Sequence, residues 1–270
     1  MKRVNFENGK ITQNILGVAM PMLVAQLISL LYNVIDRIYI ARIPDVGTAA
    51  LGGVGLCFPI IIIGTAGFVM QLTNSLVSIC YNSVLSRTGG DVYVSVMTIV
   101  SSVRQIVETP IWSIAEGASP VISYNYGARK PNHVKKSIAI MSLLAVIYMV
   151  IAWSIILIAP GALISVFSSD SSLISDSIPA LKIYFAAFML LQYIGQTTFK
   201  SLNKKKQAIF FSLLRKAIIV VPLTYLLPYA FHLGTNGVFM AEPVSNILGG
   251  SACFITMLLT VIPELNRMKK

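Results

Sequence analysis

Six runs of nearly continuous apolar sequence constrain this chain more than any other feature: 14–40, 93–126, 133–167, 173–199, 208–231 and 237–262. Each can cross a hydrocarbon core of about 30 Å, which takes about 20 helical residues. Inside lipid every backbone N–H and C=O must be bonded within the protein, so a spanning segment is either a helix or a strand of a closed barrel. None of the runs alternates at period two, which excludes barrel strands. The expected fold class is therefore all-α, a polytopic membrane bundle of six to seven transmembrane helices. Composition agrees: only 11% of the 270 residues are charged, 56% are hydrophobic, and the mean hydropathy is +0.77. A soluble domain carries about 25% charged residues, so too few charges remain here to coat a water-facing surface.

The net charge of +11 would suggest a nucleic-acid partner in a soluble chain. Here the basic residues gather in short connections between apolar runs, which is how orientation is encoded in a bilayer, and no nucleic-acid partner is expected. Arg129, Lys130, Lys135 and Lys136 lie in one connection, Lys200, Lys204, Lys205 and Lys206 in another, and Arg267, Lys269 and Lys270 at the end. These are expected on the cytoplasmic side. The connection with Asp170 and Asp176 and the turn from His232 to Asn236 hold no Lys or Arg and are expected outside. The first run follows Lys2, Arg3 and Lys10 but is too long for a signal-peptide core and lacks a small-residue cleavage site. It reads as a retained helix, giving a multi-pass protein of the cell inner (plasma) membrane with both termini cytoplasmic. Cys57, Cys80 and Cys253 lie in apolar sequence without CxxC spacing, so neither a disulfide framework nor a zinc site is expected. No cofactor is implied.

One stretch breaks the alternation. Residues 49–86 would rise about 57 Å as a single helix, almost twice the hydrocarbon thickness, and a single crossing there would put Tyr93 on the wrong side. Either the stretch turns back near Gly64 to Gly67 as two shortened helices, or part of it does not cross. Sliding the chain by 49 positions aligns Leu23, Leu27, Ser29, Tyr32 and Asn33 with Leu72, Leu76, Ser78, Tyr81 and Asn82, the mark of an internal repeat. Helices that open two repeats should stand several helices apart, yet only about one separates these.

Met20-Pro21-Met22 through Tyr32-Asn33-Val34-Ile35-Asp36, and Ala50-Leu51-Gly52 with Phe58-Pro59, resemble the first helix with its acidic residue and the second helix of the multidrug and toxic compound extrusion (MATE) family of cation-coupled efflux transporters. From Phe68 the likeness moves to the second lobe: Asn82 and Leu85 to Gly90, then Ala115-Glu116-Gly117-Ala118-Ser119-Pro120 with Asn125-Tyr126-Gly127-Ala128, then Gly237 and Ala241-Glu242-Pro243. The Glu-Gly-x-x-Pro to Asn-Tyr-Gly-Ala block is the most specific part. The resemblance implies twelve helices in two six-helix lobes, whereas this chain reads as residues 1–67, a remnant of the first lobe, joined near Gly64 to Phe68 to a complete second lobe at 68–270. It further implies a proton- or sodium-coupled antiporter of organic cations, working in the lipid bilayer, and a chain that does not complete coupled efflux in this shortened form.

Ionisable groups at membrane depth cost about 2.5–3.5 kcal/mol each on insertion scales, which makes them functional candidates. Asp36 matches the family's coupling acid; a pairing with Arg37 or Arg42 at the interface is its other reading. Arg104 and Glu108, four residues apart, share a helix face and read as a structural pair. Glu116 lies roughly 80° further round, and Pro110 between them should bend the helix. Glu108 and Glu116 are the candidate cavity carboxylates for organic cations, although Glu116 could equally bond a neighbouring helix. Glu242 beside Pro243 reads as a helix cap near the outer interface. Asn82, Gln192 and Gln196 are amides at membrane depth, which bind helices together or a substrate. Tyr184, Phe188 and Tyr193 share one side of a helix, as core contacts or as an aromatic wall for planar cations.

Two rival functions fit less well. An intramembrane enzyme would need a nucleophile and base or a metal cluster, and no such motif occurs, so no enzymatic activity is expected. A lipid-linked sugar flippase would need basic residues in the cavity, where Arg104 is the lone candidate and acids outnumber it; a non-transporting helical fragment is the third reading. The charge pattern itself is testable: Asn132→Cys in a cysteine-free background should resist a membrane-impermeant maleimide in intact cells and react after permeabilisation. Labelling in intact cells would reverse the orientation.

Overall fold

The computed structural model describes residues 9–41, 65–168, 170–187 and 190–268, apart from the side chains at 29–30, 32–41 and 65–71. Among these residues every regular element is helical. In chain order they are α1 (Ile11–Ala41), α2 (Thr65–Gly127), α3 (Pro131–Ile158), α4 (Pro160–Ser165), α5 (Ser171–Tyr184), α6 (Leu190–Ser201), α7 (Lys205–Ala230) and α8 (Gly234–Arg267). Four segments, Ile11–Ile28, α3, α7 and α8, are each long and apolar enough to span a membrane. The bundle is a polytopic membrane fold, as its sequence requires. The stretch 173–199, read as one span, is two helices, α5 and α6. Asp36 and the expected turn at Gly64 lie outside the described side chains and residues.

Helix α2 is two helices joined at Gly90. Tyr81 and Arg104 are 23 positions apart, about 35 Å along a straight helix, yet both approach the carboxylate of Glu242, at 2.9 Å and 4.0 Å. The chain must therefore double back between them. Gly90 makes the reversal with φ 72° and ψ −170°, a region that only glycine enters without strain. Pro110, expected to bend the second arm, leaves its backbone dihedrals helical.

Two apolar cores fill the bundle. One holds Val100, Val103, Ile164, Tyr184 and Phe239; the other holds Ile15, Ile122, Met141, Phe199 and Met257. Helix α1 joins the second core through Ile11 and Ile15, and Ala19 is buried beside them in sequence. Its crossing with α2 depends on Gly117, where a Cβ would lie 2.6 Å from that of Ala19. Beyond this contact Met20, Val24, Ile28 and Leu31 are exposed, an apolar face suited to lipid.

The basic connections meet at one end of the bundle. Lys204 donates to Glu264 at 2.6 Å, Tyr126 donates to the same carboxylate, and Lys135 donates to Asn266. The sequence alternation requires this shared end. At the opposite end Asp170 caps α5, accepting from the hydroxyl and the backbone N–H of Ser172, both at 2.9 Å. Those two bonds hold the Asp170 carboxyl below the ordinary carboxylate range. The cap is complete above that range and weakens as the pH falls through the lowered value.

The hinge gives a direct test. Gly90→Ala should destabilise the purified protein by about 1–3 kcal/mol, read as a lower Tm in detergent. Gly127→Ala, whose Cβ would meet nothing within 4 Å, should change stability by less than about 0.5 kcal/mol.

Candidate functional site

A band of polar side chains is buried in the bundle beside its two apolar clusters. It comprises Ser113 on α2, Gln192 on α6, Ser212 and Arg215 on α7, and Glu242, Ser245 and Asn246 on α8, all buried. Burying such groups in a membrane bundle is costly unless each finds a partner. Glu242 is the hub. Its Oε2 accepts from the Tyr81 hydroxyl at 2.9 Å, and its Oε1 accepts from Nη1 of Arg215 at 2.7 Å. The same Nη1 donates to Asn246 Oδ1 at 2.8 Å. Arg104 Nη1 stands 4.0 Å from Glu242 Oε1 and 3.7 Å from Glu108 Oε1. Lys216 donates to Asn74 Oδ1. A cavity of ≈ 40 Å³ opens among Asn74, Tyr81, Arg104, Tyr184, Lys216 and Glu242.

Local helix geometry aims these groups. Arg215 and Lys216 sit in a π-helical segment, Leu214–Val220, and Asn246 opens another, Asn246–Gly250. Pro222 and Pro243 lie beside these segments and have no N–H to bond the carbonyl four residues earlier, which loosens the regular ladder. Single-turn π segments are frequent at functional sites because they redirect side chains.

Several sequence expectations change here. Glu242, expected to cap a helix, lies eight residues after the first residue of α8 and is buried in the ion cluster. Acids do not outnumber bases: Arg104, Arg215 and Lys216 face Glu108 and Glu242. Arg215 and Lys216 were visible as cations inside the apolar run 208–231, and the rule that flagged Arg104 applies to them equally. Tyr81 stood out in the repeat but gave no chemical signal, since a tyrosine in apolar sequence is ordinary.

The named candidates divide between the cluster and other places. Glu108 joins it through Arg104, and Tyr184 lines its cavity. Glu116 lies apart and pairs with Lys200 at 2.8 Å, while the Lys200 ammonium sits 5.6 Å from the Trp112 ring centre. Tyr193 meets Trp112 edge to face at 5.4 Å, Tyr184 meets Phe185 at 5.5 Å, and Phe188 lies outside the described residues. Gln192 and Gln196 donate to the carbonyls of Phe211 and Ala208 at 3.4 Å and 3.3 Å, tying α6 to α7. Asn82 is exposed.

Comparison with known proteins follows the same lines. Residues 66–226 match the family model described as MatE. The chain is 20% identical over 254 residues to the multidrug export protein MepA of Staphylococcus saprophyticus, covering 92% of this chain and 54% of that one. A crystal structure of MATE in the bent conformation superposes with a TM-score of 0.70 at 18% identity, over 78% of this chain and 47% of the other. A MOP superfamily transporter from Pyrococcus furiosus, described as having a binding pocket of reverse polarity, superposes with a TM-score of 0.66 at 18% identity over 85% and 49%. The chain thus spans about half the length of the relatives it matches.

The two carboxylates should respond differently to neutralisation. Glu242→Gln strands the buried Arg215 guanidinium and should cost about 3–5 kcal/mol. Glu116→Gln, whose pair is 41% and 29% exposed, should cost about 0–1 kcal/mol. Tm values of the two variants in the same detergent check the ranking.

Proposed function

Because the chain belongs to the MATE family, we propose that it forms one lobe of a multidrug efflux transporter that exchanges organic cations for protons or sodium. Residues 68–270 supply the lobe and residues 1–67 a remnant of the other, set in a cell inner membrane with both termini cytoplasmic. The observation that carries this reading is the ion cluster around Glu242, buried at the centre of a membrane bundle on a family backbone. A carboxylate shared by Arg215 and Tyr81 has two discrete arrangements: ionised, it holds both donors; protonated or cation-bound, it releases Arg215. Such a bistable element can link an ion to a movement of α7 against α2 and α8.

The cavity at the cluster is too small for a drug or a sugar pyrophosphate, since ligand pockets run about 300–1,000 Å³. Substrate therefore meets the flank of α2, where Glu108 is 14% and Glu116 29% exposed. There a cationic drug competes with Lys200 for Glu116 and with its ring for Trp112. Asp36 supports the coupling role by resemblance. Alternating access needs two bodies rocking about a shared site, so the single lobe binds cations and does not pump them.

Ethidium tests both halves of the proposal. It should bind the purified chain, and Glu108→Gln with Glu116→Gln should weaken binding roughly tenfold, equivalent to about 1.4 kcal/mol; undiminished binding removes Glu108 and Glu116 from the substrate site, and no binding to the parent removes organic cations as the substrate class. In cells stripped of drug pumps the chain should leave ethidium retention unchanged. Uncoupler-sensitive efflux lost in Asp36→Asn would show that one lobe suffices.

A further inference from the structure

We propose that the cavity between the two arms of α2 and helices α7 and α8 is a binding site for a small monovalent anion of the chloride class. The inference rests on charge, donors and volume at the cluster and not on the transport activity proposed above.

Charge comes first. The ionisable groups that face the cavity and its ion pairs are Arg104, Arg215, Lys216, Glu108 and Glu242, with Tyr81 and Tyr184 neutral beside them. Three cations meet two carboxylates, leaving one positive charge in excess inside the bundle. Arg215 is matched by Glu242 at 2.7 Å. Lys216 is matched by the neutral carbonyl of Asn74 and by no carboxylate among the described residues. Lys216 is half-buried, and a partly desolvated charge without a counter-ion is disfavoured, so the site gains by acquiring a counter-charge.

The donors point to where that charge goes. Arg104 lines the cavity, and its carboxylate neighbours stand at 3.7 Å and 4.0 Å, beyond the usual hydrogen-bond range. Its Nε–H is buried without an acceptor among the described residues. A guanidinium has five N–H donors in a fixed fork and no acceptor. Arg104 on α2 and Lys216 on α7 thus bring positive N–H groups to one small space.

Volume selects the ligand. A buried water needs about 10–15 Å³ of comparable space, so ≈ 40 Å³ holds roughly three water-sized bodies. That suits a monatomic anion with accompanying water and excludes a phosphate ester. Bound there, the ion would bring the cluster to neutrality and fasten α7 to both arms of α2.

The test uses the purified full chain in detergent at constant ionic strength, with gluconate replaced stepwise by chloride. Chloride should raise Tm along a saturating curve, as expected of a ligand that binds only the folded state, and bromide should do the same. Lys216→Gln keeps a donor for Asn74 but removes the excess charge. In gluconate it should melt no lower than the parent, and its apparent chloride affinity should fall at least about tenfold. Crystals grown in bromide should give an anomalous peak within the cavity. Equal Tm in chloride and gluconate would overturn the proposal. An undiminished chloride response in Lys216→Gln would overturn it too, placing the anion elsewhere. Neither result depends on ethidium binding or efflux, so this proposal and the transport reading fail separately.

Discussion

The carboxylate of Glu242 holds the centre of this bundle. It bonds Tyr81 from the first arm of α2 and Arg215 from α7, and it lies near Arg104 from the second arm. Three stretches of chain distant in sequence thereby converge on one group of α8. Between apolar helices lipid competes evenly with protein, so apolar burial gives little direction to their association, and polar contacts with small-residue crossings supply it. The hub accordingly fixes which helices are neighbours, and the apolar cores fill the shape it sets.

Other features serve that convergence. The reversal at Gly90 brings Tyr81 and Arg104 to the same depth. The π segments of α7 and α8 carry Arg215 and Asn246 into the polar band and Lys216 to the cavity. Gln192 and Gln196 tie α6 to the backbone of α7. At the end with the basic connections, Lys204 and Tyr126 meet on Glu264, so a second, more exposed carboxylate on α8 repeats the arrangement near the membrane surface. Ion pairs at that exposed end contribute little, whereas breaking the buried hub is expensive because the partner left behind stays charged in a poor solvent.

The Arg104 pairs illustrate what spacing can and cannot say. Four residues on one helix put Arg104 and Glu108 on the same face, and their charged atoms do stand 3.7 Å apart. Spacing said nothing of Glu242, which is 138 positions away from Arg104 in the chain and reaches it only through the fold. The same limit misdirected the reading of Glu242 as a cap: an Ala-Glu-Pro sequence resembles a helix start, but α8 begins at Gly234, two turns earlier.

The sequence by itself determined that this is a membrane helix bundle, because long uncharged apolar runs have no other stable arrangement in lipid. It also determined which connections share an end, because basic residues cluster at alternate joins, and it carried the family likeness in residues such as Glu116-Gly117-Ala118-Ser119-Pro120. Tertiary structure alone decided which groups the charges meet. Glu116 was set against Lys200, Glu242 against Arg215, and Lys216 against a neutral amide. Those pairings depend on helix rotation and crossing, quantities that periodicity leaves free because an apolar helix in lipid has no strongly preferred inner face. The net charge of the central cavity, and with it the class of ligand that the cavity favours, came from the packing and not from the order of residues.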